Sequence, residues 1–228
     1  MSYVIGTGWW CDGTKARGSV TYGRDYAMEQ MTGEFFLEWV LRIRRELSPA
    51  KVLVVDSASP IQPVVDVGCE VLHLTENFLH ACHCLTKYCG WTRAFLAGAF
   101  YALMNDMDYV FLEQDVFFRG DIVQEAYHHL RVTGAEYTHG TWSHAYGVEQ
   151  SFVLMLKDAI LPFINNYMAI PESDRQMVPE VKFGVAAEMM RFSPLPFGYG
   201  RERPINYDDP VFYVQQMSPE ELERMRQL

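Results

Sequence analysis

The sequence is short of positive charge, has no long apolar run and has an odd number of cysteines. The chain has 19 Lys and Arg residues against 29 Asp and Glu residues, which gives a formal net charge of −10. An acidic surface repels phosphate backbones, so nucleic acid is not expected as a partner. We find no run of about eighteen apolar residues and no charged start followed by an apolar segment, so we expect neither a transmembrane segment nor a secretory signal.

The cysteines do not form the even set that a disulfide framework needs. There are five, which favours reduced thiols and a cytoplasmic location. Three of them lie in the segment HACHCLTKYC, residues 80–89, beside two histidines. The Cys-x-Cys spacing is poor for structural zinc, and no second Cys/His cluster follows to complete four ligands. We therefore predict free thiols rather than a zinc site in this segment.

Apolar residues make up 49% of the 228 residues, which is enough for a buried core. No internal repeat, low-complexity tract or linker divides the chain, so residues 1–228 are predicted to form a single domain. Strand-like segments alternate with helical ones over the first half of the sequence. Because several strands are continuously apolar, this order predicts an α/β fold, Rossmann-like, with a mostly parallel central sheet flanked by helices. The predicted strands are 2–10, 51–57, 70–74 and 108–114, and the predicted helices are 34–47 and 90–105.

The second half of the chain is predicted to contain fewer strands. Residues 151–168 indicate a strand that runs into a helix, and 178–190 indicate a further helix. The stretch 192–210 is loop-like, since it is rich in Pro, Gly and charged residues. A final helix is expected in 217–228, with Ser218 as its N-cap.

Two carboxylates interrupt the most strand-like segment of the sequence, DYVFLEQDVFFRGDI at residues 108–122. Glu113 and Asp115 are two positions apart, so their side chains point to the same side of an extended chain. Two bare carboxylates ~4 Å apart repel by about 4 kcal/mol at an effective dielectric constant of 20. A cation is needed to offset this repulsion, and a divalent metal such as Mn²⁺ or Mg²⁺ or an arginine meets that need.

The segment TRAFLAGAFYALMNDMDYVFLEQDVFFRGDI, residues 92–122, resembles the central stretch of glycosyltransferases of the GT-A fold. Arg93 matches an arginine of the preceding helix, and Glu113 and Asp115 match the outer residues of the D-x-D motif. The resemblance implies that Asp115 and Glu113 hold Mn²⁺ or Mg²⁺ on the diphosphate of a nucleotide-sugar, and that Arg93 binds the donor. Glu113 departs from the motif, so it contacts either the metal or the ribose.

Two shorter matches extend this resemblance. Asp56 ends a predicted strand where GT-A enzymes place an acid that contacts the nucleoside. FGYGRERPI, residues 197–205, is similar to the H-x-x-G-x-x-K-P-W element of one branch of the family. The match gives Arg203 a diphosphate-binding role, which suits its planar guanidinium. Phe197 stands where that branch has a metal-binding histidine, so a third protein ligand is missing or comes from elsewhere.

An inverting enzyme also needs a carboxylate base to deprotonate the acceptor hydroxyl. Glu149 and Glu180 are the candidates, and Glu180 is slightly preferred because it precedes a predicted helix well after the acidic motif. His139 and His144 flank Trp142 in a loop that could stack an acceptor sugar or supply the missing ligand. An ordinary half-buried aromatic loop is the alternative interpretation.

The sequence therefore predicts a metal-dependent glycosyltransferase that moves a sugar from a nucleotide-diphospho-sugar to a glycan or other hydroxyl acceptor. Residues 1–122 are expected to bind the donor, and 123–228 to form the acceptor side and the C-terminal tail. Two alternatives stay open. A sugar nucleotidyltransferase would use a Gly-rich loop, which the first loop with Lys15 and Arg17 partly resembles. A non-catalytic sugar- or nucleotide-binding module would keep the fold without the reaction.

Overall fold

The computed structural model of the protein describes residues 2–12, 30, 32–141 and 148–228. Their strands and helices alternate along the chain and form one α/β domain. In chain order the strands are β1 (Tyr3–Trp9), β2 (Lys51–Asp56), β3 (Cys69–His73), β4 (Asp108–Leu112), β5 (Val116–Arg119), β6 (Tyr137–Thr141), β7 (Val148–Met155) and β8 (Phe212–Gln215). The helices are α1 (Gly33–Glu46), α2 (Gly90–Met104), α3 (Ile122–Thr133), α4 (Lys157–Ala169), α5 (Pro179–Ala187) and α6 (Pro219–Arg226).

A six-stranded sheet forms the centre of the domain, with the strand order β3-β2-β1-β4-β7-β6. Strands β3, β2, β1 and β4 are parallel, whereas β7 is antiparallel to both β4 and β6. The predicted fold class, a mostly parallel sheet flanked by helices, is confirmed. In such a sheet the parallel strands end at a common edge, where α/β proteins usually bind ligands.

Helices cover the sheet on two sides because its central strands are apolar on both faces. Helix α1 packs through the face that the sequence pattern predicts, with Phe36, Val40 and Ile43 fully buried. Helix α2 lies on the opposite face, where Gly98 approaches Tyr109 so closely that a Cβ at this position would collide with the phenol ring. The Tyr109 hydroxyl donates a hydrogen bond of 3.0 Å to a carbonyl of the same helix. Small residues in α2 therefore allow the close packing expected of them.

A second, two-stranded sheet pairs β5 with β8 in antiparallel register. Strand β5 follows directly after the acidic segment at the end of β4. Helix α6 follows β8. Ser218 and Glu221 form a complete capping box at its start, which confirms the predicted N-cap. The sequence pattern predicts neither β6 nor β8. Both are short strands whose pairing depends on partners far away in the chain, and period-2 alternation over four or five residues is too little to identify them.

A buried ion pair fixes the start of α2. The Nζ of Lys182 lies 2.7 Å from Asp174 Oδ1, and both side chains are fully buried. The other oxygen of Asp174 accepts a 2.7 Å hydrogen bond from the backbone N–H of Cys89, the N-cap residue of α2. Lys182 also donates to the carbonyl of Glu172. The pair thus joins α5 to the residue from which α2 begins.

No helix in the described ranges has both the length and the apolar character that crossing a membrane requires.

We predict that Asp174→Ala lowers the free energy of unfolding by about 3–5 kcal/mol, because it leaves the Lys182 ammonium buried without its carboxylate partner. Urea denaturation would measure the loss. Glu136→Ala is the matched control, since Glu136 pairs with Arg191 on the surface, and such a pair contributes about 0–1 kcal/mol. Equal losses in the two variants would contradict a structural role for the buried pair.

Candidate functional site

A cavity of about 380 Å³ opens at the carboxyl edge of the sheet. Its walls come from the ends of β1, β2 and β4, from the loop before α2 and from the first residues of α2. These segments converge because the three parallel strands end at the same edge. The lining residues on which its chemistry depends are Trp10, Ser57, Leu79, Trp91, Glu113 and Asp115.

Tryptophans give the cavity one rigid aromatic wall and one accessible aromatic face. Trp91 stacks on Phe95 with ring centroids 5.6 Å apart, and its Nε1 donates a 2.7 Å hydrogen bond to Glu113 Oε1. Trp10 keeps 37% of its surface exposed. Trp91 therefore orients a carboxylate, whereas Trp10 leaves part of its surface open in the cavity lining.

Gln215 of β8 lies between the two carboxylates of the acidic segment. Its amide nitrogen donates to Asp115 Oδ1 at 3.0 Å and also to Glu113 Oε2. The amide oxygen accepts a 3.1 Å hydrogen bond from Arg201 Nε. One buried glutamine thus connects two acids to an arginine, and its hydrogen bonds hold the two carboxylates side by side.

Glu149 of β7 joins the same region through an irregularity in the sheet. The β6–β7 register shifts between His139 and Gly140, a type of distortion that re-aims side chains. The Glu149 oxygens accept hydrogen bonds from the N–H and the hydroxyl of Ser151, at 2.9 and 2.8 Å. A Cβ at Gly200 would lie 2.6 Å from Glu149 Cγ, so this position requires glycine to leave room for the carboxylate.

The electrostatics of these acids reflect burial and mutual repulsion. Burial, followed by the Asp115 charge, raises the pKa of Glu113 to about 8, and Arg201 opposes the shift. Burial also raises the pKa of Glu149, against the stabilising hydrogen bonds of Ser151 and the charge of Arg201. We name Glu113, Asp115 and Glu149 the acidic cluster. Among the described residues, Arg201 is the positive group that acts on both glutamates of this cluster.

The structure places the other predicted donor-binding residues beside the cavity but not in its lining. Asp56 accepts a hydrogen bond from the N–H of Ser59 at 2.9 Å, and its second oxygen lies 3.0 Å from His73 Nδ1. Arg93 donates to the carbonyl of Tyr88 and packs its guanidinium 3.5 Å above the Phe78 ring. Both side chains therefore brace loops that border the cavity, and their donor-binding roles stay predictions.

Arg203 makes a bidentate pair with Glu221, with distances of 2.6 and 2.8 Å. It also donates to the carbonyls of Gln215 and Gln216, which fixes α6 against the end of β8. Its predicted contact with a diphosphate is untested. The arginine near the acids is Arg201, two residues earlier in the same segment.

The two predicted bases lie in different surroundings. Glu149 belongs to the acidic cluster, whereas Glu180 is half-buried in the first turn of α5, outside this cluster. His139 is buried and stacks on Phe192 at 4.4 Å, and burial lowers its pKa to about 4. Trp142 and His144 lie outside the described residues, as do Lys15 and Arg17.

Sequence reasoning missed Gln215 and Arg201. Phe197, at the position where the resemblance places a histidine, packs edge-on against Tyr213 at 6.3 Å. The side chain that contacts the carboxylates instead comes from β8. The available signal was the unmet charge of Glu113 and Asp115, which requires a positive partner such as arginine. No local pattern indicated which arginine supplies it.

The side chains as placed do not fit a divalent cation. Such a cation needs free carboxylate oxygens, whereas the amide nitrogen of Gln215 donates to Glu113 and Asp115. Over the ranges that the structure describes, no group of three or more His, Cys, Asp or Glu side chains is arranged to hold a metal. The segment 80–89 lies within these ranges, and all five cysteines are free.

The sequence matches no family model and no curated protein. In structure, the chain is similar to S. aureus TarS 1-349 in complex with UDP, with a TM-score of 0.52 and 11% identity. That match covers 99% of this chain and 63% of TarS 1-349, so the chain spans less than two thirds of that protein. A putative glucose-1-phosphate thymidylyltransferase from Bacillus anthracis in complex with a sucrose matches with a TM-score of 0.50 and 9% identity. That match covers 100% of this chain and 94% of the thymidylyltransferase chain. These similarities show a shared α/β fold.

We predict that Glu113→Gln changes how stability depends on pH. A carboxyl with a raised pKa in the folded protein stabilises the fold below its unfolded pKa, and this contribution is lost as the pH rises through about 8. Between pH 5 and 8 the wild type should therefore lose about 2–4 kcal/mol relative to the variant. Urea denaturation across this pH range, with EDTA present, measures the difference. Parallel curves for the two proteins would contradict the protonated state of Glu113.

Proposed function

We propose that the protein is a nucleotide-sugar-dependent glycosyltransferase with a glycan or another hydroxyl compound as acceptor. The observation that carries the proposal is the cavity at the carboxyl edge of the sheet, which combines an aromatic face with paired carboxylates. A nucleoside diphosphate-sugar has a base that stacks and hydroxyls that donate to carboxylates, so it suits both features. The similarity in fold to TarS, whose structure contains UDP, supports this choice.

The residues can be assigned roles within this proposal. Trp10 stacks on the nucleobase, and the sugar lies beside Glu113 and Asp115. The lining residues that are described include no Lys or Arg, so the diphosphate needs positive charge from another source. Mn²⁺ or Mg²⁺, brought with the nucleotide, stays our prediction for this charge. In this assignment the donor binds to residues 1–122, and 123–228 provide the acceptor side.

A sugar nucleotidyltransferase is the second candidate. The match to the thymidylyltransferase structure covers 94% of that chain, so the shared fold extends over most of its length. The two reactions differ in their products: a nucleotidyltransferase releases pyrophosphate from a nucleoside triphosphate and a sugar phosphate, whereas a glycosyltransferase releases a nucleoside diphosphate. Product analysis with both kinds of substrate therefore separates them.

We predict that one nucleoside diphosphate raises the melting temperature by roughly 5–10 °C at a hundred times its Kd. UDP, GDP, ADP and dTDP should each be measured with and without Mn²⁺. Trp10→Ala should weaken the binding about tenfold, because base–aromatic stacking contributes about 1–3 kcal/mol. Phe100→Ala is the control, since Phe100 lies outside the cavity lining and is 40% exposed, similar to Trp10 at 37%.

The outcomes of this experiment separate the three functions. Binding followed by hydrolysis or transfer of the matching nucleotide-sugar supports the glycosyltransferase. Pyrophosphate release supports the nucleotidyltransferase, and nucleotide binding without either reaction supports a binding module. If no nucleotide shifts the melting temperature with Mn²⁺ present, the proposed donor site is wrong.

We further predict that Glu149→Gln lowers kcat, with little change in donor affinity, if the enzyme inverts. Glu149 is favoured over Glu180 because it lies with Glu113 and Asp115 and because burial raises its pKa, which strengthens it as a base. Glu180→Gln is the matched variant. Steady-state kinetics and donor titration would test both. A loss of kcat in Glu180→Gln alone would reassign the base, and unchanged kcat in both would favour a retaining reaction.

A further inference from the structure

Arg201 and Gln215 lie where a cation would be needed to offset the negative charge of the acidic cluster. The segment around Arg201 runs beside β8, where the backbone N–H of Gln215 donates a 2.8 Å hydrogen bond to the carbonyl of Gly200. This pairing places Arg201 Nε 3.1 Å from the Gln215 amide oxygen. It also brings the chain just before Arg201 into contact with Glu149, as the tight fit at Gly200 shows.

The hydrogen bond from Arg201 decides which end of the Gln215 amide faces the acids. An amide has a donor end and an acceptor end. Because Arg201 donates to the oxygen, the nitrogen is turned towards Glu113 and Asp115, where it donates to both. If the amide were reversed, three oxygen-bearing side chains would converge, which is the kind of ligand set that Mn²⁺ and Mg²⁺ bind.

We infer that Arg201, acting through Gln215, is the resident cation of the acidic cluster, so that the protein without ligand neither needs nor binds a divalent metal there. Arg201 is thus a positioning residue that orients the amide and offsets the carboxylate charge. This inference does not rest on the proposed function, because it concerns the protein without nucleotide. It has a specific consequence: removal of Arg201 should create a dependence on metal.

The test compares melting temperatures in EDTA and in 1 mM MnCl₂, without nucleotide, for the wild type, Arg201→Gln and Arg203→Gln. The wild type should not respond to Mn²⁺. Arg201→Gln should melt at a lower temperature in EDTA and regain about 5 °C with Mn²⁺, since the freed amide and the carboxylates then accept the cation. Arg203→Gln removes the same charge from the same segment but breaks the pair with Glu221, so its loss of stability should not be reversed by Mn²⁺.

Two results would overturn the inference. One is a rise in the wild-type melting temperature with Mn²⁺ as large as that of Arg201→Gln, and the other is the same response to Mn²⁺ in both arginine variants. If Arg201→Gln does not fold, calorimetric titration of the wild type decides the question. Saturable Mn²⁺ binding at micromolar concentration without nucleotide would then refute the inference, and its absence, together with an Arg201→Lys variant that folds and ignores Mn²⁺, would support it.

Discussion

The hydrogen bonds of the Gln215 amide to Glu113 and Asp115 are the interaction on which the carboxyl edge of the sheet depends. They allow two carboxylates to lie side by side in a mostly buried position, which their repulsion alone would oppose. They also attach β8, and with it the second sheet, to the end of β4. The Gln215 side chain therefore connects Glu113, in the cavity wall, to the strand that precedes α6.

Two ion pairs stabilise the elements around this arrangement. Asp174 and Lys182 fix the start of α2, from which Trp91 donates to Glu113. Arg203 and Glu221 fix α6 against the end of β8. The first pair thus acts on a helix that lines the cavity, and the second acts on the strand that carries Gln215. These ion pairs thus help to set the geometry of the site.

Short-range patterns in the sequence were sufficient for the fold class and for the acids at the strand end. Helices α1 and α2 begin and end within one residue of the predicted bounds, because apolar periodicity and caps are local properties. The partners of the acids were not predictable in this way. Gln215 lies 102 residues from Glu113, in a strand of four residues that no periodicity identifies. The resemblance drew attention to the segment with Arg201 but singled out Arg203, since motif spacing does not reveal that Arg201 donates to Gln215.

The distance along the chain between the acids and Gln215 has a consequence for synthesis of the protein. Strands β1 to β4 leave the ribosome together with Glu113 and Asp115, while Gln215 follows 102 residues later. At about 5–20 residues per second, the delay is roughly 5–20 s. During this time the nascent sheet has its carboxylates without their amide and arginine partners. The parallel strands are therefore available early, whereas their acidic edge becomes stable only when β8 emerges and pairs with β5.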